Sequence, residues 1–600
     1  MRTALLLTVA VVALGSVSAG CNRPSCAQFD SSPRENAAAG APASSSGGTA
    51  GPTTVDASRT VLEADIVQLD HEQNRIYAMS KSGSLAVVDA SQPGTLALLG
   101  KMSLSGEPFE MYRRGDVLLT MSNRGVGSDG NVAQPLAEGA PLPRENPNAS
   151  ALVTALDISD PAHTRQLTTF RVPGEIADSR VVGNVLYLAT YENGQCWGCK
   201  DHRTLVTTFD ISDATAPKQV DQVAFENPSS ADFNAAWSTP WKRSIIATPE
   251  RLYVGGLGAN PTSNADEGII EVLDITDPGG KLARGATIVT SGPVMSRWQM
   301  DESEGVLRVI SQRGAGRSAN GEAFPDIDTF RIESTTSMPR VGHGTITLPR
   351  QEGLKTVRFD GIRAYAITFN QTDPLFAIDL SDAAHPAQKG ELHMPGWMYF
   401  LDPHGDRVLG LGLDRTDPSG NLNVSLFDVS DLATPKLVQR VAFGPTNMYE
   451  DFMITNGVLA EDQDRIQKAF RVFEDGLIAI PYSGGSKDGS SCNTGGVQLV
   501  DWTKSSLTKQ ALLPMQGNTR RAIRRDSESM KELLAVSDSN VTSFRIDDHA
   551  VSRSVADVVI GTCVRRQSYP GGGGMGGGWN EGNDVMGGGD HRAFENGMCE

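Results

Sequence analysis

The chain has 600 residues and a formal net charge of −18, from 53 basic and 71 acidic side chains. No run of lysines and arginines offsets this acidity along the sequence, which argues against nucleic acid as a partner because its phosphates would be repelled. The 63 glycines and 32 prolines, with 39% hydrophobic residues, indicate a folded chain with many turns.

Residues 1–20 have the features of an export signal. Arg2 is followed by an apolar run from Ala4 to Leu14, and small residues continue up to Cys21. The run is shorter than a membrane-spanning helix, and it has the charged start and small-residue end of a cleavable signal peptide. We therefore predict that the protein is exported.

The residues Ser18-Ala19-Gly20-Cys21 resemble the lipobox of bacterial lipoproteins. The resemblance implies that Cys21 is lipidated and becomes the mature N-terminus, with its acyl chains as the membrane anchor. Asn22 follows this cysteine, which favours the outer membrane or cell surface. An ordinary signal peptide cleaved near Ala19 is the alternative, and it would give a periplasmic or secreted protein.

Two segments of low complexity flank the body of the chain. Residues 21–58 are rich in Ala, Gly, Ser and Pro without an apolar period, which predicts a flexible tether. Residues 566–600 carry three glycine runs, which predict a disordered tail. We expect the packed domain to extend over residues 59–565.

One pattern recurs nine times within this domain: a β-rich run ends in Asp and continues into a hydroxyl or acidic turn. The clearest copies are Leu156-Asp157-Ile158-Ser159-Asp160, Phe209-Asp210-Ile211-Ser212-Asp213, Leu273-Asp274-Ile275-Thr276-Asp277, Ile378-Asp379-Leu380-Ser381-Asp382 and Phe427-Asp428-Val429-Ser430-Asp431. Weaker copies are Val88-Asp89, Arg331-Ile332, Val500-Asp501 and Arg545-Ile546. Because β-branched and aromatic residues fill the runs and turn residues separate them, each unit predicts four short strands.

These units predict an all-β protein. A single four-stranded sheet of this length leaves two apolar faces exposed, and radial stacking of such sheets buries both. We therefore predict one large β-propeller of eight or nine four-stranded blades, eight if one unit lies outside the ring. In the sixth unit the predicted strands are residues 356–359, 364–368, 375–379 and 388–392.

The repeated aspartates have two interpretations. Carboxylates at regular intervals are compatible with calcium binding or catalysis. Asp, Ser and Pro in this order also let side-chain oxygens accept hydrogen bonds from nearby backbone N–H groups, which ends a strand in a turn. We predict this second, structural role.

The stretch from Val357 to Ser381, with Gly390-Glu391-Leu392 after it, resembles the signature block of a bacterial family. Its members are secreted proteins with a C-terminal β-propeller domain distantly related to WD40 repeats, and the units here are also similar to LVIVD repeats. Where that family commonly has Asp-His-Lys-Ala-Phe, this chain has Ile-Gln-Lys-Ala-Phe at residues 466–470 and lacks the histidine. The resemblance implies a propeller and export, and it implies no reaction.

Apart from Cys21, six cysteines remain, an even number that suggests disulfides in an exported protein. The disulfide candidates are Cys196, Cys199, Cys492 and Cys563, with Cys26 and Cys599 completing the six. For Cys196 and Cys199 we favour a local disulfide. A metal site with His202 would still need a fourth ligand, and a redox-active dithiol would be expected within a βαβ pattern that is missing from the sequence.

Other candidate groups are scattered. The histidines form no HExxH arrangement, and no GxSxG nucleophile motif is present. The cluster Glu461-Asp462-Gln463-Asp464 is either a calcium site or a solvated loop. Trp197, Trp237, Trp241, Trp298 and Trp397 either form a recognition surface at the mouth of the propeller or pack in its core.

The sequence thus favours a non-catalytic, surface-tethered binding or scaffold module, whose partner is an unknown envelope protein, peptide or polymer. We assign no catalytic residue, metal ligand or cofactor. The alternative is a metal-dependent hydrolase or lyase at the central channel, and a third interpretation is a structural subunit of an envelope complex. Convergence of His, Asp or Glu on the axis would favour the enzyme, and turn-bound aspartates would favour the scaffold.

Overall fold

The computed structural model describes residues 28–30, 59–80, 83–124, 150–192, 203–226, 243–263, 266–313, 324–348, 352–369, 373–414, 417–444, 465–484 and 494–561. Strands dominate this part of the chain. Its helices are the single 3₁₀ turns Pro161–His163, Arg297–Gln299 and Ile466–Lys468. Among these described segments, no helix has the length and apolar character needed to cross a membrane.

Thirty-eight strands are described, and all but the first two form nine blades of four. The two short strands are β1 (Gln28–Asp30), which falls within the predicted tether, and β2 (Val61–Leu62). Blades 1 to 3 are β3 Val67–Asp70, β4 Arg75–Ser80, β5 Ser84–Asp89, β6 Ala97–Ser103; β7 Glu107–Arg114, β8 Val117–Arg124, β9 Ser150–Asp157, β10 Arg165–Pro173; β11 Glu175–Val182, β12 Val185–Glu192, β13 Arg203–Asp210, β14 Lys218–Glu226. Blades 4 to 6 are β15 Ser244–Ala247, β16 Arg251–Ala259, β17 Asp266–Asp274, β18 Ala283–Thr290; β19 Met300–Ser303, β20 Val306–Gln312, β21 Pro325–Arg331, β22 Arg340–Thr345; β23 Gly353–Asp360, β24 Arg363–Phe369, β25 Asp373–Asp379, β26 Ala387–Met394. Blades 7 to 9 are β27 Trp397–His404, β28 Arg407–Leu413, β29 Leu422–Asp428, β30 Lys436–Phe443; β31 Arg471–Val472, β32 Leu477–Gly484, β33 Thr494–Thr503, β34 Ser506–Gln516; β35 Thr519–Asp526, β36 Lys531–Ser537, β37 Asn540–Arg545, β38 Arg553–Val559.

Each blade is an antiparallel meander, and the nine blades close into one ring. Nine apolar clusters each join two neighbouring blades, and the last of them packs Ile523 and Leu534 of blade 9 against Ile76 and Ala86 of blade 1. All nine sequence units therefore lie in the ring. The all-β propeller is confirmed with nine blades, and the version with eight blades is wrong because no unit lies outside.

Among the described residues, blades 1 and 9 exchange none of their four strands, but the short N-terminal strand β1 pairs with β35 of blade 9, with Gln28 opposite Asp526. Blade 1 takes its four strands from the N-terminal part of the domain, and blade 9 takes β35 to β38 from the C-terminal part. Polar contacts add to the apolar seam: the Ser80 hydroxyl donates to the Asp538 carbonyl at 2.8 Å, and the Gly94 N–H donates to Glu532 at 3.0 Å. Blades 1 and 9 are thus held together by side-chain packing and polar contacts, and β1 adds backbone pairing between the N-terminal part of the chain and blade 9.

Glycines in four outer strands receive the turn of the next blade. They are Gly100, Gly285, Gly342 and Gly390. A Cβ atom at Gly390 would lie 2.4 Å from the carbonyl oxygen of Leu432, which is closer than atoms can approach. This contact gives a packing reason for the glycine in the sequence Gly390-Glu391-Leu392.

The two faces of the ring carry different connections. Antiparallel order places the turns after the first and third strands of every blade on one face, which we name the turn face. The connections after the second strand and between blades lie on the opposite, loop face. The longest connections all join strand ends on the loop face: residues 125–149, 193–202, 227–242, 291–299, 314–323, 445–464 and 485–493.

Candidate functional site

The centre of the ring contains residues 59–66, which we name the axial segment. The Arg59 guanidinium donates to the Pro249 carbonyl of blade 4 at 2.7 and 2.9 Å. β2 then pairs with the inner strand of blade 3, with Leu62 opposite Val181. Asp65 exchanges backbone hydrogen bonds with Met111 of blade 2. The segment thus contacts three blades before the chain begins blade 1.

Glu63 of the axial segment is the centre of an ion-pair cluster. Its carboxylate accepts hydrogen bonds from both terminal nitrogens of Arg297, at 2.8 and 3.2 Å, and lies 3.6 Å from Arg180. Burial alone would raise the pKa of Glu63, but the charges of Arg297, Arg180 and Lys468 lower that pKa to about 2. The carboxylate is therefore charged across the physiological pH range.

Two further ion pairs hold the end of the axial segment. Asp65 accepts hydrogen bonds from the Arg521 guanidinium of blade 9, with the shortest at 2.6 Å. Lys468 donates to the Ala64 carbonyl at 2.7 Å and to Glu110 of blade 2 at 2.6 Å. Burial raises the pKa of Glu110, and the charge of Lys468 opposes that rise. Side chains from blades 2, 8 and 9 thus meet around this backbone.

A cation stack forms the wall next to Arg297. The Trp298 ring lies between two guanidiniums, with its centroid 4.5 Å from the central carbon of Arg297 and 3.8 Å from that of Arg358. Arg358 also lies over Phe400, with 4.6 Å to the ring centroid. Cation–π contacts of this kind fix the guanidiniums in place. Trp298 thus packs between its neighbours, and its role in a recognition surface stays a prediction.

A pocket of about 330 Å³, including its mouth, lies beside the axial segment. Its polar lining consists of Asp178, Ser244 and four cations, Arg243, Arg297, Arg465 and Lys468. Arg243, Arg297 and Arg465 precede inner strands, so they enter from the loop face. Asp178 follows a bulge in β11, and although burial tends to raise its pKa, the charges of Arg180 and Arg297 lower it. The enclosed part of the pocket has room for about one water molecule.

The repeated aspartates are turn residues, as predicted. In the five clearest units the Asp at the end of the third strand accepts a hydrogen bond from the backbone N–H two residues later, for example from Ser430 to Asp428 at 3.0 Å. The second Asp of each unit does the same in the turn itself. Hydrogen bonds from the Ser430 hydroxyl and N–H lower the pKa of Asp428. These carboxylates lie on the turn face, far from the axis.

Histidines are distributed over the blades. His163 and His385 each pair with the aspartate of their own turn at 2.8 Å. His343 contacts Asp328 at 3.1 Å, and His404 contacts Asp402 at 2.9 Å. Within the described ranges, no three His, Cys, Asp or Glu side chains come together in a way that could hold a metal ion.

Several predicted site residues lie outside the described residues. They are the cysteines, namely the lipidation candidate Cys21 and the disulfide candidates Cys196, Cys199, Cys492 and Cys563 together with Cys26 and Cys599, and also His202, residues 461–464, Trp197, Trp237 and Trp241. The lipid anchor and the disulfides therefore stay predictions.

Sequence reasoning missed the cationic centre. Although no basic run exists along the chain, Arg180, Arg297, Lys468 and Arg521 come from four distant places and converge on the axis. One sequence feature could have indicated this centre: the inner strands of blades 3, 6 and 9 each carry an arginine at a buried position. The segment at residues 466–470, noted for its missing histidine, supplies the buried Lys468.

A family model described as "Beta propeller domain" matches residues 53–549. An uncharacterized protein of Methanocaldococcus jannaschii is 37% identical over 151 residues, which is 25% of this chain and 23% of the relative. An uncharacterized protein of Archaeoglobus fulgidus is 34% identical over 146 residues, or 24% of this chain and 21% of the relative. The chain thus spans less than a quarter of the length of these curated relatives.

Two solved structures are similar to this chain at low identity. The periplasmic gluconolactonase PpgL of Pseudomonas aeruginosa has 12% identity and a TM-score of 0.34, covering 68% of this chain and 98% of that one. Sqt1 of Saccharomyces cerevisiae has 9% identity and a TM-score of 0.36, covering 64% and 82%. Likenesses at this level carry no conclusion about activity.

Proposed function

Because the chain belongs to the Beta propeller domain family over residues 53–549, we propose that it is a non-catalytic binding or scaffold module. We further propose that a lipid on Cys21 tethers it to the bacterial envelope, with its loop face presented to a protein, peptide or polymer of that compartment. Without the lipid, the same module would act in the periplasm or outside the cell.

The difference between the two faces carries this proposal. Turns on the turn face are short and use their own aspartates to satisfy their own backbone N–H groups. All of the longest connections leave and rejoin the ring on the loop face. Because recognition in propellers and other rigid scaffolds is concentrated in variable loops, the loop face is the surface suited to a partner.

The channel carboxylates support the same proposal. Glu63, Asp65, Glu110 and Asp178 each lie within ion-pair distance of a cation, and the first three of these contacts hold the axial segment in place. A group that positions the chain in this way contributes to the rigidity of the scaffold. The described charges at the axis thus have a structural use.

The partner surface can be tested by site-specific photo-crosslinking in cells of the native host. A photoreactive residue replaces Thr262 or Ser419, exposed on the loop face, or His163 or His385, exposed on the turn face. We expect a discrete crosslinked species from the loop-face positions and none from the turn-face positions. Equal crosslinking from both faces, or from the turn face alone, would contradict the assignment of the binding surface.

The anchor can be tested by cell fractionation and by mass spectrometry of the mature N-terminus. We expect an acylated Cys21 as the first residue, in the outer-membrane fraction, and we expect Cys21→Ser to move the protein to the soluble fraction. A chain that begins near Gly20 without lipid would refute the anchor, and crosslinking would then be repeated with soluble ligands.

A further inference from the structure

The pocket beside the axial segment is cationic in a strongly acidic protein. Its described lining has four cations and one carboxylate, Asp178, whereas the chain as a whole has a net charge of −18. Cationic groups at the bottom of a cleft with protein walls focus the electric field and raise the local concentration of anions. Glu63 and Glu110 pair with Arg297 and Lys468 behind the lining, so the four cations exceed the three nearby carboxylates by one charge, and the pocket is net cationic.

The cations of the pocket are deeply buried. Arg243, Arg297, Arg465 and Lys468 are between 2% and 6% exposed. A charge in such surroundings interacts with an approaching anion much more strongly than it would in water. Burial lowers the pKa of Arg243 to about 10, with Arg284 contributing in the same direction, and a bound anion would offset that effect.

Arg297 provides a directed donor. Its two terminal nitrogens bind Glu63, and its Nε–H has no hydrogen-bond partner among the described residues although the side chain is 7% exposed. Glu63 on one side and Trp298 on the other fix the orientation of the guanidinium. A buried, oriented N–H of a charged group forms the strong class of hydrogen bond with an oxyanion.

We propose that this pocket binds one oxyanion group, a carboxylate or a phosphate, that enters from the loop face. The enclosed end accommodates a single oxygen atom between the cations, and the remainder of the group occupies the wider mouth. The inference deepens the proposed function and rests on it in one respect: in the cell, the oxyanion belongs to the partner bound by the loop face.

The test uses small anions in place of the partner. Inorganic phosphate and acetate are each titrated into the purified mature protein by calorimetry, with NaCl holding the ionic strength constant. We expect saturable binding with a stoichiometry of one. Saturable binding of phosphate but not of acetate would indicate a phosphate-bearing ligand. Binding of acetate with an affinity equal to or greater than that of phosphate would indicate a carboxylate ligand. Absence of saturable binding for both anions would overturn the proposal.

Two pairs of variants locate the binding. Arg243→Gln is expected to weaken the affinity about tenfold, which is the loss of one charge-assisted hydrogen bond, and Arg553→Gln on an exposed outer strand is the matched control. Ser244→Asp introduces a carboxylate into the pocket wall and is expected to abolish binding, whereas the neutral Ser244→Asn retains it. If Arg243→Gln does not fold, the Ser244 pair decides. Equal binding by Ser244→Asp and Ser244→Asn would overturn the assignment to this pocket.

Failure of this inference and failure of the proposed function give different results. Anion binding that depends on Arg243 and Ser244, together with no loop-face crosslink, would leave the pocket intact and contradict the partner surface. A loop-face crosslink without any anion binding would support the partner surface and overturn the oxyanion pocket.

Discussion

Glu63 and Arg297 stand 234 positions apart in the chain, and their side chains form a two-pronged ion pair in the centre of the ring. One residue belongs to the axial segment and the other to the connection between blades 4 and 5. Because Arg180 of blade 3 approaches the same carboxylate, a single anion connects three separate parts of the ring.

Removal of the charge on Glu63 is expected to destabilise the propeller. Glu63→Gln keeps the size of the side chain but leaves Arg297 and Arg180 without their shared anion, which we expect to cost about 1–3 kcal/mol because the site is mostly buried. Urea unfolding of the wild type and the variant measures the change. Glu72→Gln, at an exposed carboxylate in a turn of blade 1, is the control and should have no effect.

The ion pair between Glu63 and Arg297 should make the free energy of unfolding depend on pH within a defined acidic range. Glu63 has a pKa of about 2 in the folded chain, against an ordinary value of 4.5. A carboxyl group with a lowered folded pKa stabilises the fold above its unfolded pKa, and this contribution disappears as the pH falls toward the folded pKa. The difference in urea midpoint between wild type and Glu63→Gln should thus be constant above about pH 5 and narrow toward pH 2. A difference independent of pH would contradict this account.

The seam between blades 1 and 9 should be sensitive to packing. Leu534 is fully buried there, and Leu534→Ala is expected to lower the free energy of unfolding by about 2–4 kcal/mol through lost contacts and a cavity. Leu98→Ala removes the same atoms from a side chain that is 43% exposed and should change stability far less. Similar losses in both variants, measured by urea unfolding, would show that the seam is not a close-packed interface.

Gly390 should not accept a side chain. Gly390→Ala places a Cβ 2.4 Å from the Leu432 carbonyl oxygen, so the two blades must separate, at a cost of about 1–3 kcal/mol. Gly353, also at a blade strand, has no atom within 4 Å of a Cβ, and Gly353→Ala should leave stability unchanged or slightly higher. Thermal unfolding of both variants tests the difference, and equal melting temperatures would refute it.

The turn aspartates should act through hydrogen bonds and without calcium. Asp428→Ala removes the acceptor of two hydrogen bonds from Ser430 and one from Arg407 and is expected to cost about 1–2 kcal/mol, whereas Asp428→Asn retains an acceptor and should lose less. Neither calcium nor EDTA should move the melting temperature of the wild type. A rise in melting temperature with calcium that Asp428→Ala abolishes would restore the alternative interpretation.

Much of the architecture could be predicted from local sequence. In the five clearest units the third strand ends in an Asp that accepts a hydrogen bond from the backbone N–H two residues later, within its own turn. The strand–turn alternation of the sixth unit matched β23 to β26 for the same reason. Short-range chemistry of this kind is readable without knowledge of the fold.

The cationic centre could not be predicted in the same way. Arg521 and Asp65 lie 456 positions apart, and nothing in the local sequence of either one indicates the other. Inner strands of opposite blades come together only in the closed ring. In the sequence, the charges therefore stand as isolated arginines within apolar strands. The number of blades was equally uncertain, because a repeat count does not say whether every unit joins the ring.

The axial segment has one further implication, which concerns how this ring can evolve. Propellers gain and lose blades by duplication or deletion of a repeat, and such an event changes the diameter of the channel. Here residues 59–66 must reach blades 2, 3, 4, 8 and 9 at once, and this reach is fixed by the length of eight residues that belong to no repeat. A ring with one blade more or fewer would separate at least one of these pairs. We therefore expect the axial segment to restrict inherited changes in repeat number.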